Sequence, residues 1–180
     1  MKWIVLLGVL LAAGWYYLIG GRQLDEQMVR DFYLARAHAT LSRDPEAQCK
    51  LIATSAVLQI ETRIAGQTKS ETLNRAQACE QFRKAHEFFE QAGGKAGAML
   101  TIEYDYELGK IELARDRKSA SVEFSSTLKM GVAFMQFRTT SNDRVARNLG
   151  RAELGGAEAK TRVSFTPGAL ADPGKYFQSQ

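Results

Sequence analysis

The fold is decided by residues 44–82, which read DPEAQCKLIATSAVLQIETRIAGQTKSETLNRAQACEQF. The stretch begins as a short helix, because Asp44 is a favourable N-cap and Pro45 follows it in the first helical position. This helix is predicted to end near Ala53. From residue 58 to residue 64 apolar and polar residues alternate, and that period of two predicts a strand.

A longer helix is predicted to follow the turn at residues 65–67. Thr68 and Glu71 have the spacing of a capping box, in which each side chain bonds to the backbone N–H of the other residue. The glycine pair at 93 and 94 is predicted to end this helix. The chain therefore changes from helix to strand and back to helix, which indicates an α+β domain.

Helix and sheet are predicted to occupy separate halves of the domain. A first helix is predicted from about Asp25 to Ser42, and the residues after Gly94 have the alternation of strands. Gly109 lies where the apolar phase of the first of these strands changes, which is typical of a β-bulge. The predicted strands cover residues 101–113, 120–130, 132–138, 145–154 and 159–165, with a turn at Gly155 and Gly156.

An uncharged, almost wholly apolar run covers residues 3–21, between Lys2 and Arg22. As a helix it would be roughly 28 Å long, which matches the hydrocarbon core of a bilayer. We predict a transmembrane helix over residues 3–21 within a signal anchor of residues 1–22, with the domain on the periplasmic side of the inner membrane. A cleavable signal peptide is the alternative, because the run contains small residues at a suitable separation, Ala12 and Gly14.

The rest of the chain has the composition of one globular domain. Residues 23–166 are predicted to form this domain, and residues 167–180 a flexible C-terminal tail. The net charge is only +4 and the chain has no dense stripe of Lys and Arg, so nucleic-acid binding is not expected. The sequence contains no phosphate-loop, zinc-protease or calcium-loop motif, and we predict neither a cofactor nor a metal site.

The chain has two cysteines, Cys49 and Cys79, and both fall in the helical half. An even number of cysteines in an oxidising compartment is consistent with a disulfide, which here would close a loop of about 30 residues. Two buried thiols that do not meet are the alternative interpretation.

The order helix, short helix, strand, longer helix and strand meander resembles the NTF2-like superfamily, also known as the SnoaL-like or cystatin-like cone. The strongest likeness is in residues 44–92, which resemble the passage from second helix to first strand to third helix in SnoaL-like proteins. The order of elements matches over residues 24–166. The resemblance implies three helices packed on a curved, mostly antiparallel sheet, with a conical pocket that members use for catalysis, for binding or only as part of a dimerisation surface.

Six aromatic residues are predicted to line such a pocket: Tyr33, Phe82, Tyr104, Tyr106, Phe124 and Phe134. An enzyme of this kind needs an acid or base inside the pocket, where desolvation moves its pKa towards neutrality. Asp105 lies on the strand face opposite to the neighbouring tyrosines. His86 is off the apolar stripe of its helix and His38 is near a helix end, so neither is predicted to face the pocket. We therefore predict no catalytic residue.

The combination of anchor, cone and missing inward base favours a non-enzymatic binding or assembly module, such as a scaffold of an envelope or secretion-type complex. Its expected partners are the membrane and either further copies of the chain or a protein of a membrane complex. The alternative is a SnoaL-like small-molecule binding protein or enzyme that uses the cone pocket. A sizeable cavity containing a titratable side chain would favour this alternative, whereas a filled and dry cone would contradict it.

Overall fold

The computed structural model of the protein describes residues 23–95, 101–131 and 135–165, and in the N-terminal stretch residues 3, 6–11 and 14. The three longer ranges contain, in chain order, two helices, two strands, a third helix and four further strands. The helices are α1 (Glu26–Leu41), α2 (Pro45–Lys50) and α3 (Arg75–Lys95). The strands are β1 (Ile52–Ile64), β2 (Gln67–Asn74), β3 (Ile102–Leu113), β4 (Ser119–Met130), β5 (Met135–Asn148) and β6 (Arg151–Phe165).

The six strands form one curved sheet in the order β2-β1-β6-β5-β4-β3. Strands β1 and β6 pair in parallel, and every other neighbouring pair is antiparallel. The helices pack on one face of the sheet, where Leu24, Val29, Val122, Val145 and Leu154 belong to one buried cluster. The predicted α+β architecture, with three helices on a mostly antiparallel sheet, is therefore confirmed.

The first helix begins where it was predicted to start, next to Asp25, and the second begins after its predicted N-cap, Asp44. The Asp25 carboxylate accepts a hydrogen bond from the Met28 N–H at 2.8 Å, and the Asp44 carboxylate accepts one from the Ala47 N–H at 2.8 Å. Each bond satisfies a backbone donor that has no partner within the helix. Helix α2 ends earlier than the predicted Ala53, because the chain turns at once into β1, whose pairing with β6 begins at the first strand residue.

The capping box predicted at Thr68 and Glu71 was wrong. Residues 67–74 form β2, which pairs with β1 across a tight turn and is one of the two edge strands of the sheet. The capping box lies later in the chain, where the Gln77 N–H donates to Asn74 Oδ1 at 3.0 Å and the Asn74 N–H donates to Gln77 Oε1 at 2.9 Å. Two suitable pairs thus compete in the sequence, and strand pairing selects the second.

The last two strands also differ from the prediction. Strand β5 continues through the polar residues 139–143, and the turn lies at Leu149 and Gly150, which both have a positive φ. Gly155 and Gly156 were predicted as this turn, but they lie inside β6 at a register shift. A Cβ on Gly156 would lie only 3.3 Å from the Val57 carbonyl oxygen, so the close approach of β1 explains this glycine. The bulge predicted at Gly109 is confirmed by the register shift between β3 and β4 there.

Within the described residues, no helix has both the length and the apolar character needed to cross a membrane. Most of the predicted span, residues 3–21, lies outside these residues. The predicted tail, residues 167–180, and the predicted pocket residue Phe134 also lie outside them.

Candidate functional site

A cavity of about 360 Å³ lies between the three helices and the sheet. Most of its wall is apolar: Phe82 and Phe89 of α3 contribute from the helical side, and Ile102, Leu128 and Phe137 from β3, β4 and β5. Its volume is within the range of ordinary small-molecule sites. Side chains therefore do not fill the cone, and its lining includes polar residues.

Strand β5 places a row of polar side chains along the inner wall. Thr139, Ser141 and Asp143 occupy alternate positions, so all three face the cavity. The Thr139 hydroxyl shares a hydrogen bond of 3.0 Å with the hydroxyl of Thr161 on β6. Asp143 is the most deeply buried of the row, with an exposed fraction of 1%. A polar stripe thus crosses a wall that is otherwise mostly apolar.

The Asp143 carboxylate is held by two side chains of α1. Its Oδ2 accepts a hydrogen bond from the Tyr33 hydroxyl at 2.9 Å and from the Arg36 guanidinium at 3.0 Å. The other oxygen, Oδ1, is buried without a partner among the described residues, and the same is true of the Ser141 Oγ. Buried polar atoms are nearly always hydrogen-bonded, so two unpaired atoms on one strand face are unusual. The site therefore presents an oriented carboxylate with one unused oxygen.

The charges in the cavity are set by burial and by this ion pair. Burial raises the pKa of Tyr33 above its usual range, and the negative charge of Asp143 adds to the effect. Burial on its own would lower the pKa of Arg36, but the attraction of Asp143 outweighs it and the pKa is raised. Burial also raises the pKa of Tyr104. At neutral pH both phenols are therefore uncharged, that of Tyr104 at the cavity wall and that of Tyr33 behind it.

Arg36 is also positioned by an aromatic ring. Its guanidinium carbon lies 4.7 Å from the centre of the Phe124 ring, within the range of a cation–π contact. The Arg36 side chain keeps an exposed fraction of 30%, so part of it remains accessible at the cavity wall. This arrangement fixes the guanidinium while leaving some of its N–H groups available to a ligand.

The six predicted pocket residues occupy different layers. Phe82 and Tyr104 line the cavity. Tyr33, Tyr106 and Phe124 lie behind its wall: the Phe124 ring stacks on Tyr33 at 5.0 Å and on Tyr106 at 6.2 Å between ring centres. The sequence pattern shows which side of a strand is inward, but it does not distinguish a cavity wall from the packed core. Phe134 cannot be placed in either layer, since it lies outside the described residues.

No protein-family model matches the sequence, and no curated protein matches it. Solved structures do match. A conserved protein from Planctomyces limnophilus is 17% identical with a TM-score of 0.55, and the match covers 79% of this chain and 98% of that one. A ketosteroid isomerase-like protein from Erwinia carotovora is 11% identical with a TM-score of 0.51, covering 77% and 98%. An NTF2-like protein of unknown function from Pseudomonas putida is 12% identical with a TM-score of 0.51, covering 75% and 84%.

The fold is the NTF2-like cone. At these identities the likeness extends to the fold alone, and the site has to be interpreted from the residues of this chain.

Two residues of this NTF2-like cone were not expected at the pocket. His86 lines the cavity with a side-chain exposure of 28%, and its Nδ1 lies 3.8 Å from a carboxylate oxygen of Glu90. Asp143 lies between the predicted strands 132–138 and 145–154, because residues 139–143 contain few apolar side chains. One pattern could have placed Asp143 on the inner face of a strand: Thr139, Ser141 and Asp143 alternate in phase with the buried Val145. His38 is exposed in the last turn of α1, as predicted.

A disulfide joins Cys49 of α2 to Cys79 of α3, with 5.3 Å between the two Cα atoms. It fixes two helices that both contribute to the cavity wall, since α2 provides Gln48 and α3 provides Phe82. Among the described residues no group of three or more His, Cys, Asp or Glu side chains could hold a metal ion.

Proposed function

We propose that the protein is a small-molecule-binding NTF2-like domain, held on the extracytoplasmic side of a membrane by an N-terminal anchor. One observation carries the proposal: Asp143 Oδ1 and Ser141 Oγ are buried and unpaired at the wall of a mostly apolar cavity. A buried acceptor without a donor costs about 1 to 3 kcal/mol. A bound molecule with a hydroxyl or N–H group would supply the missing donor.

The cavity favours ligand binding over the assembly role predicted from the sequence. A scaffold gains no stability from an open apolar cavity or from a carboxylate oxygen without a partner, because both reduce the stability of the fold. A binding site needs both features, since the apolar wall supplies affinity and a few polar groups orient the ligand.

The location is part of the same proposal. The apolar run at residues 3–21 supports a membrane anchor. The disulfide between Cys49 and Cys79 supports an oxidising compartment, because disulfides are rare in proteins that remain in the cytosol. Together they favour a domain outside the cytoplasmic membrane.

Native mass spectrometry of the full chain, extracted from its own membrane in a non-ionic detergent, tests the proposal. We expect a reproducible small-molecule mass on the wild-type protein. Ala159→Leu adds bulk to the cavity wall and should remove this mass, whereas Ala76→Leu, at an exposed position of α3, should retain it. A wild-type chain without a bound small molecule, or one retained equally by Ala159→Leu, would contradict ligand binding in the cone.

A further inference from the structure

We propose that the sheet binds a ligand with two or more linked phosphate groups on its outer face, the face that points away from the helices. The site is an arginine row, made of Arg63 on β1, Arg162 on β6 and Arg138 on β5. This row and the cavity lie on opposite faces of the sheet, so the inference goes beyond the proposed function and does not depend on it.

The pairing of the strands brings the three arginines together. Arg63 is the Cα partner of Arg162, and Arg162 is the Cα partner of Arg138. Neighbouring strands are about 4.8 Å apart, so the row is about 10 Å long. It continues to Thr68 on β2, the partner of Arg63, and to Thr127 on β4, the partner of Arg138. Guanidinium and hydroxyl donors thus follow one another across five strands.

The arginine row faces solvent. All three arginines are exposed, whereas Thr139 and Thr161, their neighbours along β5 and β6, line the cavity on the inner face. Successive residues of a strand point to opposite faces, so the arginines lie on the face away from the helices. A ligand in solution can therefore reach the whole row.

No described residue within 23–95, 101–131 or 135–165 forms an ion pair or a side-chain hydrogen bond with any of the three arginines. Two other cations of the outer face do have partners, since Lys129 pairs with Glu103 and Lys110 pairs with Glu112. Like charges directly opposite each other on a sheet are destabilising. The row therefore lowers the stability of the fold, and a bound anion would offset this cost.

The nearest charges do not cancel the row. Two positions along the strands, Lys160 of β6 lies opposite Glu61 of β1, so one further cation and one carboxylate face each other. Asp105 of β3 is in line with the row, but β4 separates it from Arg138. The three positive charges of the row therefore remain available to an anion.

Linked phosphates suit the row better than a carboxylate does. The N–H groups of one guanidinium bind two oxygens at once, so one arginine can occupy both oxygens of a carboxylate. A terminal phosphate group has three acceptor oxygens, and it can therefore bridge two arginines on adjacent strands. Two or more linked phosphates would also place several negative charges along a row of about 10 Å.

The row is far from the place where an N-terminal anchor would join the domain. Near that place, the Gln23 carbonyl oxygen accepts a hydrogen bond from Arg147 of β5. Along the same strand, Arg147 and Arg138 are separated by about 30 Å. Headgroups of the anchoring membrane would lie at the other end of the sheet, so the row fits a soluble ligand.

Isothermal titration calorimetry on the full chain, in a non-ionic detergent, tests the site with three probes at equal ionic strength. Sodium triphosphate carries linked phosphates, citrate carries its charge on carboxylates, and glycerol 3-phosphate has the single phosphate ester of a lipid headgroup. We expect triphosphate to bind most tightly. Its binding should weaken between about 0.1 and 1 M NaCl, because the Debye length falls from about 10 to about 3 Å.

Two outcomes with these probes would overturn the ligand class. Equal or tighter binding of citrate would contradict the preference for phosphate. Equal or tighter binding of glycerol 3-phosphate would contradict the need for linked groups and would point to lipid headgroups instead. Absence of binding by all three probes would overturn the site, while leaving the proposed function of the cavity untouched.

Variants locate the bound phosphate. Arg162→Gln removes the middle of the row and should weaken triphosphate binding about fivefold, the upper end for one exposed ion pair. The matched control is Arg144→Gln, an exposed arginine of β5 about 20 Å from Arg138, which should change binding less than about twofold. Equal weakening by the two variants would contradict the site.

The melting temperature separates a ligand site from a structural role. Without ligand, Arg162→Gln should melt at the temperature of the wild type or above it, because the substitution removes repulsion between like charges. With triphosphate, the melting temperature of the wild type should rise more than that of the variant. A variant that melts below the wild type without ligand would contradict the unfavourable charge row.

Discussion

Replacing Tyr33 with Phe isolates one hydrogen bond of the buried site. The Tyr33 side chain has an exposed fraction of 1%, and its hydroxyl donates to the Asp143 carboxylate at 2.9 Å. The substitution keeps the aromatic ring, which stacks on Phe124, and removes only the hydroxyl. The carboxylate would retain its bond to Arg36. The loss of stability therefore reports on the hydrogen bond and on the oxygen that it leaves less satisfied.

The expected loss follows from the burial of both partners. A hydrogen bond to a charged group contributes about 1.5 to 3 kcal/mol, and solvent screening is small here because Asp143 is 1% exposed. Since Arg36 still pairs with the same oxygen, we expect the substitution to lower the free energy of unfolding by about 2 kcal/mol. For a chain of this length that corresponds to a fall in melting temperature of roughly 4 to 8 °C.

Thermal unfolding and urea unfolding of the full chain, followed by near-UV circular dichroism, would measure the change. The matched control is Tyr106→Phe, whose ring also stacks on Phe124 but whose hydroxyl has no hydrogen bond among those found in the described residues. The control should lose less than about 0.5 kcal/mol, the range of substitutions that break no buried contact. Equal losses for the two variants would refute the role assigned to the bond between Tyr33 and Asp143.

Two further predictions concern stability. Cys49→Ser combined with Cys79→Ser opens a loop that the disulfide closes across 30 residues. In the chain-entropy model this should lower the free energy of unfolding by about 3 to 4 kcal/mol, measured by urea unfolding against the oxidised wild type. An unchanged midpoint of the urea transition would contradict the bridge. Burial raises the pKa of Tyr33 and Tyr104 above the ordinary value of 10.0, so the folded state keeps protons that the unfolded state loses. This contribution is complete below pH 10.0 and is lost as pH rises above it, so stability should fall with rising pH above 10.0, and less steeply in Tyr33→Phe than in the wild type.

Local patterns in the sequence were sufficient for the elements whose partners are near in the chain. At Asp25 and Asp44 the capping hydrogen bond joins residues only three positions apart, so it depends on little beyond the segment itself. The bulge at Gly109 was visible as a slip between two apolar phases of one strand. The cone resemblance added the order of elements, and that order was correct for all three helices.

Features that depend on distant partners could not be obtained in this way. Thr68 and Glu71 have the spacing that begins a helix, and only pairing with β1 makes residues 67–74 a strand. Asp143 looks like a turn residue until Tyr33 and Arg36, more than 100 residues earlier, supply its hydrogen bonds. The assignment of Gly155 and Gly156 to a turn failed for the same reason, because the need for glycine comes from the approach of β1.

The parallel pairing of β1 with β6 has a consequence for the order in which the chain can fold. Residues 52–64 are synthesised early, yet their second neighbour in the sheet is residues 151–165. Until residues 151–165 have been synthesised, β1 has only β2 beside it, and an isolated two-stranded hairpin is marginally stable in water. Its free edge is also a template for pairing with other chains. A ribosome-bound or prematurely terminated chain that lacks β6 would therefore be unable to complete the sheet, and the domain would acquire its fold only after almost its whole length has emerged.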